Sequence, residues 1–363
     1  MRVVVAPDSF GGSLTAHQAA AAIVEGWQRA RPGDEVVSVP LSDGGEGLID
    51  VVRAVLDGPT HELEVAGPHG KPVRARWLQV ERTAYVESAE AAGLNRLPAD
   101  ERGPLRTTTY GVGQVLEAVR AAGAQRVVVG LGGSATVDAG AGALTALGLR
   151  LLGAGGNGLK VGGGNLHYLE AIDRGWLSGT WGDIEVVCWA DVRTPLLEAA
   201  QRFGPQKGAT PEDVGILRRG IERFSAVIER DLDVDPSLRE APGTGAAGGL
   251  GYGLAAVLGA SIVDGAAAVL DAVGFQHHLG GADLVVTGEG GLDRTSLDGK
   301  VVGRVVDEAR RARVAVAAVA GRLAEDVAED VGVDVEEASP GGPGDDPATD
   351  VADAAARLAG RFS

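Results

Sequence analysis

Six short glycine-rich loops carrying acidic or hydroxyl side chains punctuate this chain, several of them directly behind an apolar run of β type. The first, Ala6-Pro7-Asp8-Ser9-Phe10-Gly11-Gly12-Ser13-Leu14, follows Val3-Val4-Val5. Such loops belong to open parallel sheets. Their ligand crevice lies beyond the carboxyl ends of the strands, and glycine lets backbone N–H groups approach an anion with no Cβ in the way. Ala, Val, Leu and 57 Gly dominate while aromatic residues make up only 4%. That suits small side chains packed between helices and a parallel sheet better than an aromatic-rich β-sandwich, so an α/β class is expected. At 363 residues and 45% hydrophobic content, the chain exceeds what one core serves and supplies apolar surface for two.

A formal charge of −17 argues against nucleic-acid and anionic-membrane partners, which need an excess of Lys and Arg on at least one face. A small anionic substrate stays admissible if a local cluster of N–H groups, Lys, Arg or a divalent cation overrides the global field. Strand-like Val3-Val4-Val5 follows Met1-Arg2 without the basic and long apolar regions of a secretory signal. The longest small-apolar stretch, Val314 to Ala320, is far short of the roughly 20 residues that span a bilayer. The single cysteine, Cys188, sits in the apolar run Ile184 to Trp189 and reads as a buried inert thiol. The expectation is a soluble, cytoplasmic protein; its oligomeric state is not specified by the sequence, and a homodimer is compatible with it.

The opening reads as a βαβ unit: a strand over Arg2 to Ala6, an amphipathic helix over Thr15 to Arg29 with Thr15 as N-cap, and a strand over Glu35 to Pro40. A helix is expected after Gly47, with Leu48, Val51, Val52 and Val55 on its buried face. From His61 the texture changes to antiparallel strands at His61 to Ala66, Val73 to Val80 and Thr83 to Glu87. Further elements are a helix at Gly113 to Ala122, a strand at Arg126 to Gly130, a helix at Gly140 to Leu147 and a loop or hairpin over Gly153 to Gly164. The closing stretch returns to the opening texture: a strand at Asp283 to Thr287, a helix at Gly299 to Ala312, a strand at Arg313 to Ala320, a surface loop at Ser339 to Gly344 and a helix at about Thr349 to Leu358. The economical organisation is one α/β domain built from residues 1–60 and 283–363, with a second α/β domain, 61–282, inserted.

Parallel neighbouring strands place Asp8, Asp43 and Glu46 at one sheet edge, where hard oxygen ligands suit Mg²⁺, unless Asp8 and Ser9 merely cap a helix. Gly130 to Thr136 lies between a strand and a helix, where a phosphate fits; the alternative is a tight turn with Ser134 or Thr136 as N-cap. Thr107-Thr108-Thr109 offers three hydroxyls that capping alone also explains. In Gly204-Pro205-Gln206-Lys207-Gly208, the Lys suits a phosphate-neutralising charge or a solvated turn. Gly243 to Gly248 and Gly153 to Gly158 match G-x-G-x-x-G, but the first lacks a preceding strand and the second a following helix, so neither supports a dinucleotide fold. No P-loop or protein-kinase signature occurs.

Taken jointly, these segments resemble the bacterial glycerate kinases. The match runs through Ala6 to Phe10, Ser42 to Gly47, Pro104 to Gly111, Gly132 to Thr136, Ala190-Asp191-Val192, Phe203 to Thr210, Gly245 to Gly251 and Thr287 to Gly290. The resemblance implies a Rossmann-like or flavodoxin-like parallel-sheet domain with a second α/β domain inserted, the active site in the cleft between them, and ATP with Mg²⁺ as cofactors. It implies transfer of the γ-phosphoryl group to D-glycerate, with Asp191 and Lys207 catalytic. Gly132, Gly133, Ser134, Thr136 and Glu289 would bind the nucleotide, Asp8, Ser9, Thr107, Thr108 and Arg193 the acceptor, and Asp43 and Asp293 the metal. The chain departs from the family pattern at Gly11, Val137, Arg193-Thr194 and Gly291, which keeps open a kinase of another small hydroxy acid or polyol, or a nucleotide-binding regulator without turnover.

Overall fold

The computed structural model describes residues 1–175, 177, 179–297, 300–324, 332–339 and 346–362. In chain order its strands are β1 (Arg2–Pro7), β2 (Glu35–Ser38), β3 (Thr60–Ala66), β4 (Pro72–Val80), β5 (Thr83–Glu87), β6 (Arg126–Leu131), β7 (Arg150–Leu152), β8 (Ala171–Asp173), β9 (Glu185–Ala190), β10 (Ser261–Asp264), β11 (Leu284–Leu292), β12 (Ala315–Leu323) and β13 (Asp334–Glu337). The chain forms two compact units, one comprising Met1–Asp43, Asp50–Leu56 and Ala266–Ser363, the other Gly44–Ile49 and Asp57–Gly265. The division thus falls at 56/57 and 265/266, where the sequence texture suggests 60/61 and 282/283.

The first unit carries a five-stranded sheet in the order β13-β12-β11-β1-β2, every adjacent pair parallel. Strand β1 is apolar and buried from Val3 onward, as a strand covered on both faces must be. The helix Ala16–Ala30 opens with a capping box between Thr15 and Gln18 that satisfies two otherwise orphaned N–H groups. Its Ala19, Ile23 and Trp27 share a core with Val3, Val5, Val286 and Val319, and with Ala352, Ala355 and Leu358 of the helix Pro347–Ala359. Each fully buried aliphatic side chain of this kind contributes about 1.5–3 kcal/mol. From β1 the chain order runs to β2 on one side and to β11, β12 and β13 on the other, which puts the topological switch point between β1 and β11.

The second unit carries a six-stranded sheet, β10-β9-β6-β5-β4-β3, parallel from β10 to β5 and antiparallel across β5, β4 and β3. One core joins this sheet to Val112, Leu116 and Val119 of the helix Tyr110–Ala121, and another gathers Leu144, Leu217, Phe224 and Tyr252. Cys188 is fully buried on β9, and burial pushes its thiol up to about 12, as an inert core residue requires.

Several boundaries differ from expectation for local reasons. The helix after Gly47 is only Leu48–Arg53, so Val55 lies past its end and is exposed instead of buried. The helix expected at Gly113 begins already at Tyr110, and β11 runs on to Leu292 because it is paired along its length with β12. The Gly153 to Gly164 stretch is flanked by the antiparallel pair β7 and β8, with Leu152 bridging to Gly158. Pro340 to Gly344 of the expected surface loop lie outside the described residues. Among the described residues no helix is long and apolar enough to cross a membrane.

Candidate active site

At the carboxyl end of the first unit's sheet, Asp8 and Ser9 directly follow β1, Asp43 comes after β2, and Glu289 and Asp293 lie in and just past β11. The Asp8 amide donates to Gly288 O at 2.9 Å, and its Oδ1 accepts from the Ser9 amide at 2.6 Å. Burial, followed by the charges of Asp43 and Glu289, raises the Asp8 carboxyl well above the ordinary range. Burial likewise pushes Glu289 up to about 7, with Asp293 and Asp43 adding to the rise while Ser296 and Lys300 oppose it. Among the described residues Glu289 Oε1 is buried without a hydrogen-bond partner. Asp293 accepts from the Ser296 amide at 3.2 Å. Among the described residues no group of three or more His, Cys, Asp or Glu side chains is placed to hold a metal by itself. Glu46 falls in the second unit, where Asn95 Nδ2 donates to it at 2.7 Å.

In the second unit, Lys207 is 4% exposed, and its ammonium donates to Ser134 Oγ at 2.9 Å and to Thr136 O at 2.8 Å. Burial pulls its pKa down to about 8, against the opposing charges of Asp191 and Asp138. The solvated-turn alternative for Lys207 therefore fails: the side chain runs inward to the Gly132 to Thr136 loop. A Cβ on Gly132 would stand 3.1 Å from Asp191 Oδ2, so that carboxylate lies against the same loop. Among the described residues the Gly133 and Ser134 amides meet no protein acceptor, and Thr136 Oγ1 is buried without a partner. A buried ammonium, two unspent N–H groups and a nearby carboxylate together make a place where phosphoryl charge is stabilised beside a proton acceptor.

The helix behind this loop, Ala141–Ala146, is not open to an anion as its sequence position suggests, and neither Ser134 nor Thr136 caps it. Asp138, fully buried, accepts from the Gly140 and Gly142 amides at 3.2 Å each and from the Thr109 amide at 2.9 Å and hydroxyl at 3.0 Å. Its own pKa is raised by burial against these hydrogen bonds. Sequence reasoning missed Asp138 as a site residue; the signal was an acidic residue followed by Ala-Gly ahead of a helical run. Thr107 and Thr108 are buried with their hydroxyls occupied, Thr107 donating to Ala135 O at 2.8 Å and Thr108 accepting from the Tyr110 amide at 3.1 Å. Arg193 is exposed.

The sequence model of the glycerate kinase family matches residues 3–360. The chain is 39% identical over 332 residues to glycerate 2-kinase of Escherichia coli strain K12, covering 90% of this chain and 87% of that one. It is 40% identical over 331 residues to glycerate kinase of Bacillus subtilis strain 168, covering 90% and 86%. A crystal structure from Salmonella typhimurium LT2, described as a candidate glycerate kinase 2, superposes with a TM-score of 0.79 at 34% identity, covering 100% of this chain and 98% of that one.

Proposed function

This chain belongs to the glycerate kinase family, and from that premise we propose that it transfers the γ-phosphoryl group of ATP to the 2-hydroxyl of D-glycerate, giving 2-phosphoglycerate. The observation that carries the reading is the buried Lys207 ammonium, held by Ser134 and Thr136 beside the unspent Gly133 and Ser134 amides. Phosphoryl transfer needs little covalent help from the protein; positioning and charge neutralisation supply most of the catalysis. Lys207 and the loop amides stabilise the charge that develops on the transferred group. Asp191 accepts or orients the proton of the attacking hydroxyl. Asp191 and, after it, Asp138 favour the protonated Lys207 by their charges, and Asp138 joins Thr109 to the Gly140 and Gly142 amides by its hydrogen bonds. In the first unit, Asp8 and Ser9 orient the acceptor.

Mg²⁺ fits the first unit's carboxylates. Their oxygens are hard donors, the charges of Asp43 and Glu289 raise the Asp8 carboxyl and those of Asp293 and Asp43 raise Glu289, and Glu289 Oε1 is buried with no partner among the described residues. Glu289 with one of its neighbours Asp43 or Asp293 would hold the ion in the way Mg²⁺ prefers, through one or two carboxylates with substrate phosphates completing its shell. When bound, it neutralises phosphate charge. The parallel sheet and its switch point read as a Rossmann-like or flavodoxin-like domain, with 57–265 as the insertion, and a lone reduced thiol is ordinary in cytoplasm.

Purified protein incubated with ATP, Mg²⁺ and D-glycerate should release ADP and one phosphoglycerate, identified as the 2-isomer by phosphorus NMR. No ADP with D-glycerate would overturn the assignment. Turnover with another hydroxy acid alone selects a different acceptor, and ATP binding without any turnover selects a regulator.

A further inference from the structure

The first unit contains a cavity of about 440 Å³ that the roles above leave unused. It opens at the carboxyl ends of β1, β11, β12 and β13 and spans the switch point, since Phe10 and Gly11 follow β1, Gly290 lies near the end of β11 and Arg322 near that of β12. Ligands of open parallel sheets bind at such a place. We propose that this cavity seats the nucleoside and an inner phosphate of ATP, with Arg322 as the phosphate-binding side chain. The proposal rests on the kinase reading above and adds to it where the nucleotide is recognised.

Three features of the lining carry the argument. Arg322 is exposed, and among the described residues its side chain makes no ion pair or hydrogen bond. A guanidinium with its planar fork of donors unspent is matched to phosphate oxygens. Opposite in character, Ser339 Oγ donates to Asp350 Oδ2 at 2.9 Å, a hydroxyl–carboxylate pair suited to the hydroxyls of a ribose. Phe10 and Val351 supply an apolar wall for a base.

The floor is backbone. A Cβ on Gly321 would lie 2.5 Å from Gly290 O, and one on Gly290 would lie 2.8 Å from the Gly11 amide nitrogen, so these segments meet at a distance side chains forbid. Nothing stands within 4 Å of where a Cβ on Gly11 would project. The cavity falls in the range of roughly 300–1,000 Å³ that ligands of drug size occupy. A three-carbon acid would leave most of it void, and a divalent cation would find, among the described residues, a single carboxylate, Asp350, in its lining.

The test varies ATP and D-glycerate independently in steady-state assays of wild type, Arg322→Ala and Gly11→Leu, with ADP binding measured by titration calorimetry on the same proteins. Loss of a charge-assisted hydrogen bond predicts that Arg322→Ala raises the KM for ATP and the Kd for ADP about tenfold or more, with the KM for D-glycerate within twofold of wild type. Gly11→Leu, which adds bulk to a lining residue with nothing within 4 Å of its Cβ position, should do the same. ATP and ADP values at wild-type level in Arg322→Ala would overturn the proposal, as would a rise confined to the KM for D-glycerate. If wild type does not phosphorylate D-glycerate yet Arg322→Ala still weakens ADP, the acceptor assignment fails and the nucleotide cavity stands. Should Gly11→Leu not fold, the exposed Arg322 decides alone.

Discussion

Lys207 shows how much a single side chain's environment decides. A lysine in a glycine-flanked turn is ordinarily a solvated charge near pH 10.4; here burial brings it to about 8 and two carboxylates keep it from falling further. The charged form is the one that neutralises phosphate, and it is present below this value and lost as pH rises through it. The kcat/KM for ATP should therefore decline above about pH 8, approaching tenfold per pH unit. Because the Asp138 charge raises the Lys207 pKa, Asp138→Asn should move that alkaline limb to lower pH, whereas a purely structural Asp138 would lower the rate and leave the limb in place. A pH–rate profile of both proteins reads the difference. The position of Lys207 in a Gly-Pro-Gln-Lys-Gly bend was legible in the sequence, as was its suitability for phosphate. Its burial was not, because Ser134 and Thr136 approach it from some seventy residues away in the chain.

At the level of elements, two left-handed stretches are locked together behind the Gly132 to Thr136 loop. Ala139 has φ 52° and Gly140 φ 77°, while Ala247, Gly248 and Gly249 have φ 49°, 67° and 90° within the helical stretch Ala246–Leu258. Non-glycine residues held in this region cost of order 1–3 kcal/mol each and persist only where their surroundings over-determine them. A Cβ on Gly248 would lie 1.9 Å from Thr136 O, the carbonyl that receives the Lys207 ammonium. Gly248→Ala should therefore destabilise by more than the roughly 1–2 kcal/mol of left-handed strain alone and depress turnover as well. Gly259→Ala, with φ 69° and nothing within 4 Å, should cost only the strain and leave turnover unchanged. Urea midpoints and initial rates of the two variants separate the effects. Strands β1 to β6, β11 and β12 and six helices were readable from apolar runs and turn residues, whereas β7 to β10, β13 and the helices Pro211–Leu232 and Ala246–Leu258 were not. Nor was this interlock: a G-x-G-x-x-G match at Gly243 to Gly248 carries no sign that its backbone meets Thr136.

For the whole molecule, two units with separate hydrophobic clusters, one around Trp27 and Val286, another around Leu116 and Val129, predict that unfolding is not a single two-state event. Scanning calorimetry should give a van't Hoff enthalpy smaller than the calorimetric one. Equal enthalpies in one transition would show that the units unfold together. By itself the sequence determined the α/β class, the family, and which glycine-bearing bends follow which strands, because side-chain periodicity and turn chemistry act over a few residues. Only the tertiary structure decided that Thr107 and Thr108 spend their hydroxyls inside, that Asn95 donates to Glu46, that Asp138 joins Thr109 to the Gly140 and Gly142 amides, and that Arg322 borders a cavity at the switch point. Burial, Coulomb interaction and close backbone approach depend on distances through space between residues remote in the chain, and those distances exist only once the sheets have formed.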